Sequence, residues 1–283
     1  MSLLIGVPCV DAVVVGADSA ATLGGMLQDT IQQTGEKLIA VRGTAIFGVA
    51  GAAALSQQYE GILGELLDAQ CDFRGQSRRL VDLPPYALAA CLQEHFLAGS
   101  ENTYTSFQRA ALILKKSTSL TIHLARTLIA LPCSRRPVLF RSDEFCNVEE
   151  IRLNSFEAIG VGQRHADPFL AFLKRVLWRG ETPSTEIGEL TVVWALQHAI
   201  EVNTGGVADP KHVLTLRTNA DGTAQIERLD GDKISGYENR IQDIERSMHG
   251  VARDLPATGK AAPIGPEPED EIFPRQGARS DEP

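Results

Sequence analysis

Residues 2–24 read Ser2-Leu3-Leu4-Ile5-Gly6-Val7-Pro8-Cys9-Val10-Asp11-Ala12-Val13-Val14-Val15-Gly16-Ala17-Asp18-Ser19-Ala20-Ala21-Thr22-Leu23-Gly24. Two short runs rich in Val, Ile and Leu, residues 3–9 and 12–17, meet at Val10 and Asp11. That pattern predicts a hairpin buried on at least one face. A secretory signal needs a basic segment at its start, and the first basic residue here is Lys37. Asp11 and Asp18 interrupt the apolar stretch, which is too short to span a bilayer. We read it as a strand pair in a soluble protein.

Outward from this hairpin, residues 22–35 read as irregular, and 37–41 with 44–50 as a second hairpin around Arg42 and Gly43. The period then changes. Leu55, Tyr59, Ile62, Leu63 and Leu66 form one helical stripe. Pro84 and Pro85 open a second helix carrying Leu88, Leu92 and Phe96. Residues 110–116 fit either a helix or the start of a strand, and 119–131, 137–141 and 147–159 read as strands. Asp167 and Pro168 predict a helix start, a capping side chain followed by a residue that needs no donor. A fourth helix follows Thr182 and Pro183 and runs to Gly205 and Gly206. Residues 211–217 and 223–229 flank a turn at 219–222, and a last amphipathic helix carries Tyr237, Ile241, Ile244, Met248 and Val251. Pairs of helices between runs of strands predict two sheets face to face with helices outside, not a parallel βαβ sheet.

Residues 254–283 differ in kind: six prolines and seven acids against three basic residues leave almost nothing to bury. They read as a disordered acidic, Pro-rich tail beyond a domain of residues 1–253. The 283-residue chain has a net charge of −9, which argues against nucleic acid or an anionic membrane as partner. Its five cysteines are scattered and contain no CxxC pair, so a reducing cytosol is the expected compartment.

Standard catalytic motifs are missing: no GxSxG, no Walker loop, no HExxH, no GxGxxG. Cys91 with His95, and His198 with Glu201, have spacings a metal site would use, but read more simply as polar residues on helix flanks. The start of the chain is the chemically suggestive end. Removal of Met1, which a small second residue permits, puts the hydroxyl of Ser2 beside a free α-amino group of pKa about 7.7–8.0. A hydroxyl next to a terminal amine is one way to activate a weak nucleophile.

With Asp11-Ala-Val-Val-Val-Gly-Ala-Asp18-Ser-Ala-Ala-Thr22-Leu-Gly, this opening resembles proteasome β-type subunits, and most nearly the bacterial peptidase HslV. Gly35-Glu-Lys37-Leu, Phe47-Gly48-Val-Ala-Gly51, Ala158-Ile-Gly160-Val-Gly162 and Asn203-Thr204-Gly205-Gly206 resemble later signatures of that family, in order, up to about residue 217. The long acidic chain resembles the betaproteobacterial proteasome homologue subgroup. The resemblance implies a four-layer αββα sandwich of the N-terminal-nucleophile type, an α+β fold. It also implies a self-compartmentalising endopeptidase that uses Ser2 on extended peptides. In that pattern Lys37 sits beside the Ser2 oxygen, Asp18 holds Lys37 charged, and the N–H of Gly48 serves the oxyanion. Glu201 and Thr204 stand near the terminal amine. Thr22 and Gly48, with Ala20 and Ala50, offer backbone to the peptide, while Ala21, Ile46, Ala50 and Ala54 line an uncharged pocket for small-to-medium apolar side chains.

No cofactor is required on this reading. The family often carries a structural Na⁺ or Mg²⁺ on carbonyls near the end of the fourth helix, here those of His198, Glu201 and Thr204. A homo-oligomeric double ring with six or seven subunits per ring is implied, seven being preferred, with an ATPase unfoldase as the family's partner. Two departures matter physically. Ser2 stands where most members have threonine and lacks the methyl that restricts χ1. Val161 stands where the family usually has a serine hydroxyl near the amine. They give weight to two other readings, a non-catalytic scaffold subunit and a small-molecule amidase of the same fold.

Overall fold

The structure, a computed structural model, describes residues 2–25, 28–51, 53–113, 125–133, 136–202 and 206–254, and their side chains except at 21–34, 53–54, 72, 102–104, 106–113, 252 and 254. The elements in order are β1 (Leu3–Pro8), β2 (Ala12–Ala17), β3 (Ala20–Gly25), β4 (Gln28–Thr34), β5 (Leu38–Val41), β6 (Ala45–Ala50), α1 (Ala53–Asp68), β7 (Gln70–Phe73) and β8 (Gln76–Arg79). Then come α2 (Pro85–Ile113), β9 (Arg126–Cys133), β10 (Arg136–Ser142), β11 (Val148–Ile151), β12 (Glu157–Gly160), α3 (Gln163–Leu173), α4 (Thr185–Val202), β13 (His212–Thr218), β14 (Ala224–Arg228) and α5 (Gly231–Asp254). The chain divides into two units, Met1–Ile241 and Gln242–Pro283, so that the second begins within α5.

The first unit is α+β with antiparallel sheets. One sheet has the order β12-β1-β2-β13-β14 and the other β11-β10-β9-β6-β5. Every residue of β1 and β2 is buried, because both faces of this hairpin are covered. On one face Leu4, Val13, Val15 and Ala17 join Leu38, Ile46, Leu128 and Leu139 of the opposite sheet in a shared apolar core. On the other, Gly16 lies under Val192 and Leu196 of α4. The helical stripe expected over residues 55–66 forms on α1: Leu55, Tyr59, Leu63 and Leu66 pack with Leu88, Leu92 and Phe96 of α2 and with Phe47, Ile129 and Phe140 of the second sheet. Each such Leu, Ile or Phe contributes roughly 1.5–3 kcal/mol on burial. Strand parity decides which core a β6 residue joins: Ala45, Phe47 and Val49 face the helices, Ile46 and Ala50 face the other sheet.

Three expectations are corrected, and one further hairpin carries no sequence signal. Residues 22–25 and 28–34 are not irregular; they pair within the β3–β4 hairpin, with a bulge between Leu23 and Gly24. Gln32, Gln33 and Thr34 give that hairpin no apolar alternation to detect. The β7–β8 hairpin turns at Arg74 and Gly75, both at positive φ, and β8 is exposed throughout, so it too lacks a pattern. The stretch 147–159 is two short strands in different sheets, β11 and β12. Finally, α3 begins at Gln163, where the Gly162 carbonyl accepts the N–H groups of His165 and Ala166, and Pro168 lies inside the helix. Of the strand expected at 119–131, the part from Arg126 forms β9, and 119–124 lie outside the described residues.

A buried carboxylate joins the later elements. Glu189 of α4 accepts hydrogen bonds from Thr215 Oγ1 of β13 at 2.8 Å and Tyr237 Oη of α5 at 2.7 Å, and pairs with Lys233 Nζ at 3.1 Å. Among the described residues, no helix is long and apolar enough to cross a membrane.

Candidate functional site

The site starts from Asp18, the residue that follows β2 and is 0% exposed. A carboxylate so buried needs donors on both oxygens. Oδ1 accepts the N–H of Leu3 at 2.8 Å and Lys37 Nζ at 2.5 Å. Oδ2 accepts the N–H of Ala20 at 2.9 Å and of Ala208 at 3.2 Å. One side chain therefore ties together the start of β1, the start of β3, the segment before β13 and the lysine that precedes β5. Leu3 N–H and Lys37 Nζ share a single oxygen atom, which brings the ammonium group within a residue's reach of Ser2.

Lys37 has a side chain only 8% exposed. Burial pulls its pKa below the usual lysine value, while the charge of Asp18 and the hydrogen bond to it push the other way. A lysine held so is a compact positive charge on a pKa adjustable by its surroundings.

Ser2 is buried at the head of β1, and Met1 lies outside the described residues. Its carbonyl oxygen accepts the N–H of Gly162 at 3.4 Å. Gly160 has φ +100°, and a Cβ there would stand 2.1 Å from the Ser2 carbonyl oxygen and 3.4 Å from Ala50 Cβ. Only glycine can occupy that backbone so near another. The Gly160-Val161-Gly162 loop thus packs directly on Ser2, with Val161 45% exposed.

Two sequence assignments on β6 do not survive their place in the sheet. Ile46 is fully buried in the inter-sheet core, leaving no surface for a substrate. Gly48 is flanked by Leu38 of β5 and Leu128 of β9, so its N–H points into the ladder and not into a cleft. What Gly48 supplies is room: a Cβ there would lie 2.2 Å from Leu4 Cδ2 and 2.8 Å from Leu38 Cδ2, so its absence lets β1 approach β6. The residue past the last rung, Ala50 paired with Arg126, is exposed Gly51. Its N–H lies beyond the rungs that pair β6 with β5 and β9.

The other expected residues are placed as follows. Ala20 is buried beside Asp18, and Ala50 lies between Ile46 and the Ser2 loop. Ala21 and Thr22 lie on β3, which among the described residues pairs with β4, and Ala54 lies on α1; their side chains are outside the description. Glu201, near the end of α4, is exposed and accepts a hydrogen bond from Gln197 at 2.9 Å. His198 stacks on Phe169, ring centroids 4.1 Å apart, and burial lowers its pKa despite nearby Glu201. Thr204 lies outside the described residues. Among the described residues no cluster of three or more His, Cys, Asp or Glu side chains is suited to a metal ion, which leaves the carbonyl arrangement expected at His198, Glu201 and Thr204 untouched.

His212 is a further residue near Asp18 that no sequence motif marks. It opens β13 opposite Ala17, the residue before Asp18, and shares a face with Leu214 and Leu216 of the inter-sheet core. Burial, then Arg228, lowers its pKa; Glu36 and Asp18 oppose this and Lys37 adds to it. Glu36 and Arg228 form an ion pair beside it. A lone histidine at a strand start carries no spacing signal; only the strand order brings it here.

No family model matches the sequence, and no curated protein matches it. Among solved structures the chain is similar to a helical assembly of the Anbu complex from Pseudomonas aeruginosa, at 18% identity and TM-score 0.62, covering 92% of this chain and 99% of that one. It is similar to Anbu (ancestral β-subunit) from Yersinia bercovieri at 16% identity and TM-score 0.62, covering 92% and 100%. A Gly-1 mutant of Anbu from Hyphomicrobium sp. strain MC1 matches at 15% identity and TM-score 0.62, covering 88% and 97%. At these identities the likeness establishes the fold alone: this chain has the fold of the Anbu proteins.

Proposed function

We propose that this chain is a subunit of a proteasome-like N-terminal-nucleophile peptidase, with Ser2 as the nucleophile once Met1 is removed. One observation carries the reading: Asp18 Oδ1 binds both Lys37 Nζ and the N–H of Leu3, the residue after Ser2. The Anbu fold and the two antiparallel sheets that share an apolar core support it, and we read the architecture as the four-layer αββα sandwich of the N-terminal-nucleophile type. The family signatures from Ser2 to residue 217 agree with a proteasome homologue of the betaproteobacterial kind.

In this mechanism the Ser2 hydroxyl passes its proton to the α-amine of the same residue and attacks the carbonyl carbon of an extended peptide. The Lys37 ammonium favours the developing alkoxide, and Asp18 keeps that ammonium charged. The tetrahedral oxyanion takes the N–H of Gly51, not that of Gly48; such a donor is worth about 100- to 1000-fold in rate. Collapse breaks the C–N bond, the leaving amine takes the proton, and the ester on Ser2 is then hydrolysed by water. Ala20, Ala21 and Ala50 leave the pocket small and uncharged, which suits small-to-medium apolar side chains at the cleaved position. The peptide adds to the edge of β3 near Thr22. Glu201 and Thr204 orient the terminal amine, and carbonyls at the end of α4 hold a structural Na⁺ or Mg²⁺. Subunits assemble with copies of themselves in a closed double ring that an ATPase unfoldase supplies with substrate, in the cytosol.

Val161 favours a second reading, a scaffold subunit of the same assembly, because an apolar side chain stands where a hydroxyl would relay protons to the amine. Intact-mass measurement before and after a peptide epoxyketone, a reagent that needs both hydroxyl and free amine, separates the two. Loss of Met1 followed by a single covalent adduct on Ser2 is expected. A retained methionine, or no adduct on a free Ser2, would sink the peptidase reading.

A further inference from the structure

We propose that Arg126 is a positioning residue that holds the end of β6 and the loop packed on Ser2 at a fixed separation. The role rests on the peptidase reading of Ser2. Arg126 opens β9, and its backbone forms the last rung of the ladder with Ala50, immediately before Gly51. Directly paired residues of an antiparallel ladder project to the same face. Ala50 projects toward Gly160, and Gly160 lies against the Ser2 carbonyl. The Arg126 side chain therefore leaves β9 toward the same loop, and its Nη1 donates to Gln163 Oε1 at 3.0 Å.

Gln163 directly follows Gly162, whose N–H holds the Ser2 carbonyl, and its own amide donates to Asp167 Oδ2 at 3.0 Å. On its other side Arg126 Nε donates to Glu144 Oε2 at 2.8 Å. One residue thus links, through its backbone, the end of β6 that precedes Gly51 and, through its guanidinium, the loop that holds the Ser2 carbonyl. The fork geometry of arginine allows both contacts at once, which a lysine ammonium on a flexible stem does not reproduce. The side chain is 42% exposed, and ion pairs so exposed contribute only about 0–1 kcal/mol. Its worth is therefore geometric: a shift on the order of 1 Å between reacting groups costs about 100-fold in rate.

The test compares full-length wild type with Arg126→Ala, Arg126→Lys and Gln163→Ala by the rate at which a peptide epoxyketone modifies Ser2, read as saturating rate and half-saturating concentration separately. In Arg126→Ala the saturating rate falls by tenfold or more with little change in half-saturation or melting temperature. Gln163→Ala gives a similar loss, and the double variant loses no more than either single one. Arg126→Lys recovers only part. Wild-type modification rates in Arg126→Ala overturn the proposal, as does a loss matched by a fall in melting temperature. Should wild type itself go unmodified, the peptidase reading fails, and hydrogen exchange decides the clamp alone. Faster exchange over residues 158–166 and at Leu3 in Arg126→Ala supports it, and unchanged exchange overturns it.

Discussion

Asp18→Asn changes one atom of a side chain that no solvent reaches, and the structure allows its effect to be worked through. Aspartate offers two acceptor oxygens, and each takes two donors: Leu3 N–H and Lys37 Nζ on one, Ala20 N–H and Ala208 N–H on the other. Asparagine keeps one acceptor and presents an NH₂ group in place of the second. If its oxygen stays with Leu3 and Lys37, the N–H groups of Ala20 and Ala208 face a donor. Each orphaned buried donor costs about 1–3 kcal/mol, so roughly 4 kcal/mol is lost from a total that is about 5–15 kcal/mol in folded domains. In urea, with a slope of about 2 kcal/mol per molar, the midpoint falls by about 2 M. Lys37 also loses the charge that opposes the effect of burial on its pKa, so it gives up its proton more readily and Ser2 modification falls by about 100-fold or more. Equilibrium urea unfolding followed by circular dichroism measures the first effect. A midpoint within about 0.3 M of wild type would refute the idea that these four donors depend on the carboxylate.

Other outcomes follow from the same geometry. Gly48→Ala forces Leu4 and Leu38 aside and costs about 1–3 kcal/mol, visible as a lower melting temperature with β1 displaced from β6. Gly160→Ala costs more, because the obstructing atom is the backbone oxygen of Ser2, and it abolishes Ser2 modification; a variant at wild-type stability would contradict the loop placement. Lys37 carries a pH signature. Its folded pKa lies below the unfolded value, so between the two the unfolded chain binds more protons and stability rises with pH. Lys37→Met removes that rise, and the difference between the two stability–pH curves isolates it. Ser2→Thr restores the χ1 restriction and raises the saturating rate of modification.

The parts of the fold that were legible in sequence carry strong periodicity. Residues 55–66 and 88–96 have a helical stripe and became α1 and α2; the apolar runs on either side of Asp11 became a hairpin buried on both faces. Polar hairpins were not legible, since the β4 sequence has no apolar alternation and β8 is exposed throughout. Of the proposed site, the pairing of Lys37 with Asp18 beside the start of β1 could be anticipated from motif order. Gly48 and Gly51 could not be told apart, because both fit a glycine three residues from another; the ladder decides between them by where β6 ends. Ile46 failed for the same reason, a parity that only the opposing sheet reveals. Arg126 left no trace at all: its partner Gln163 is 37 residues away, and no motif spans the gap.

The buried glutamate on α4 has a practical corollary for anyone shortening this chain. Cutting the protein back to the end of β14 would strip Glu189 of its tyrosine and lysine companions and leave a carboxylate with Thr215 as its remaining hydrogen-bond donor among those named. Such an ion is tolerated only with partners or by taking up a proton. The minimal recombinant piece therefore has to reach past Tyr237 and include Ile241, whereas everything after that point is open to deletion on these grounds.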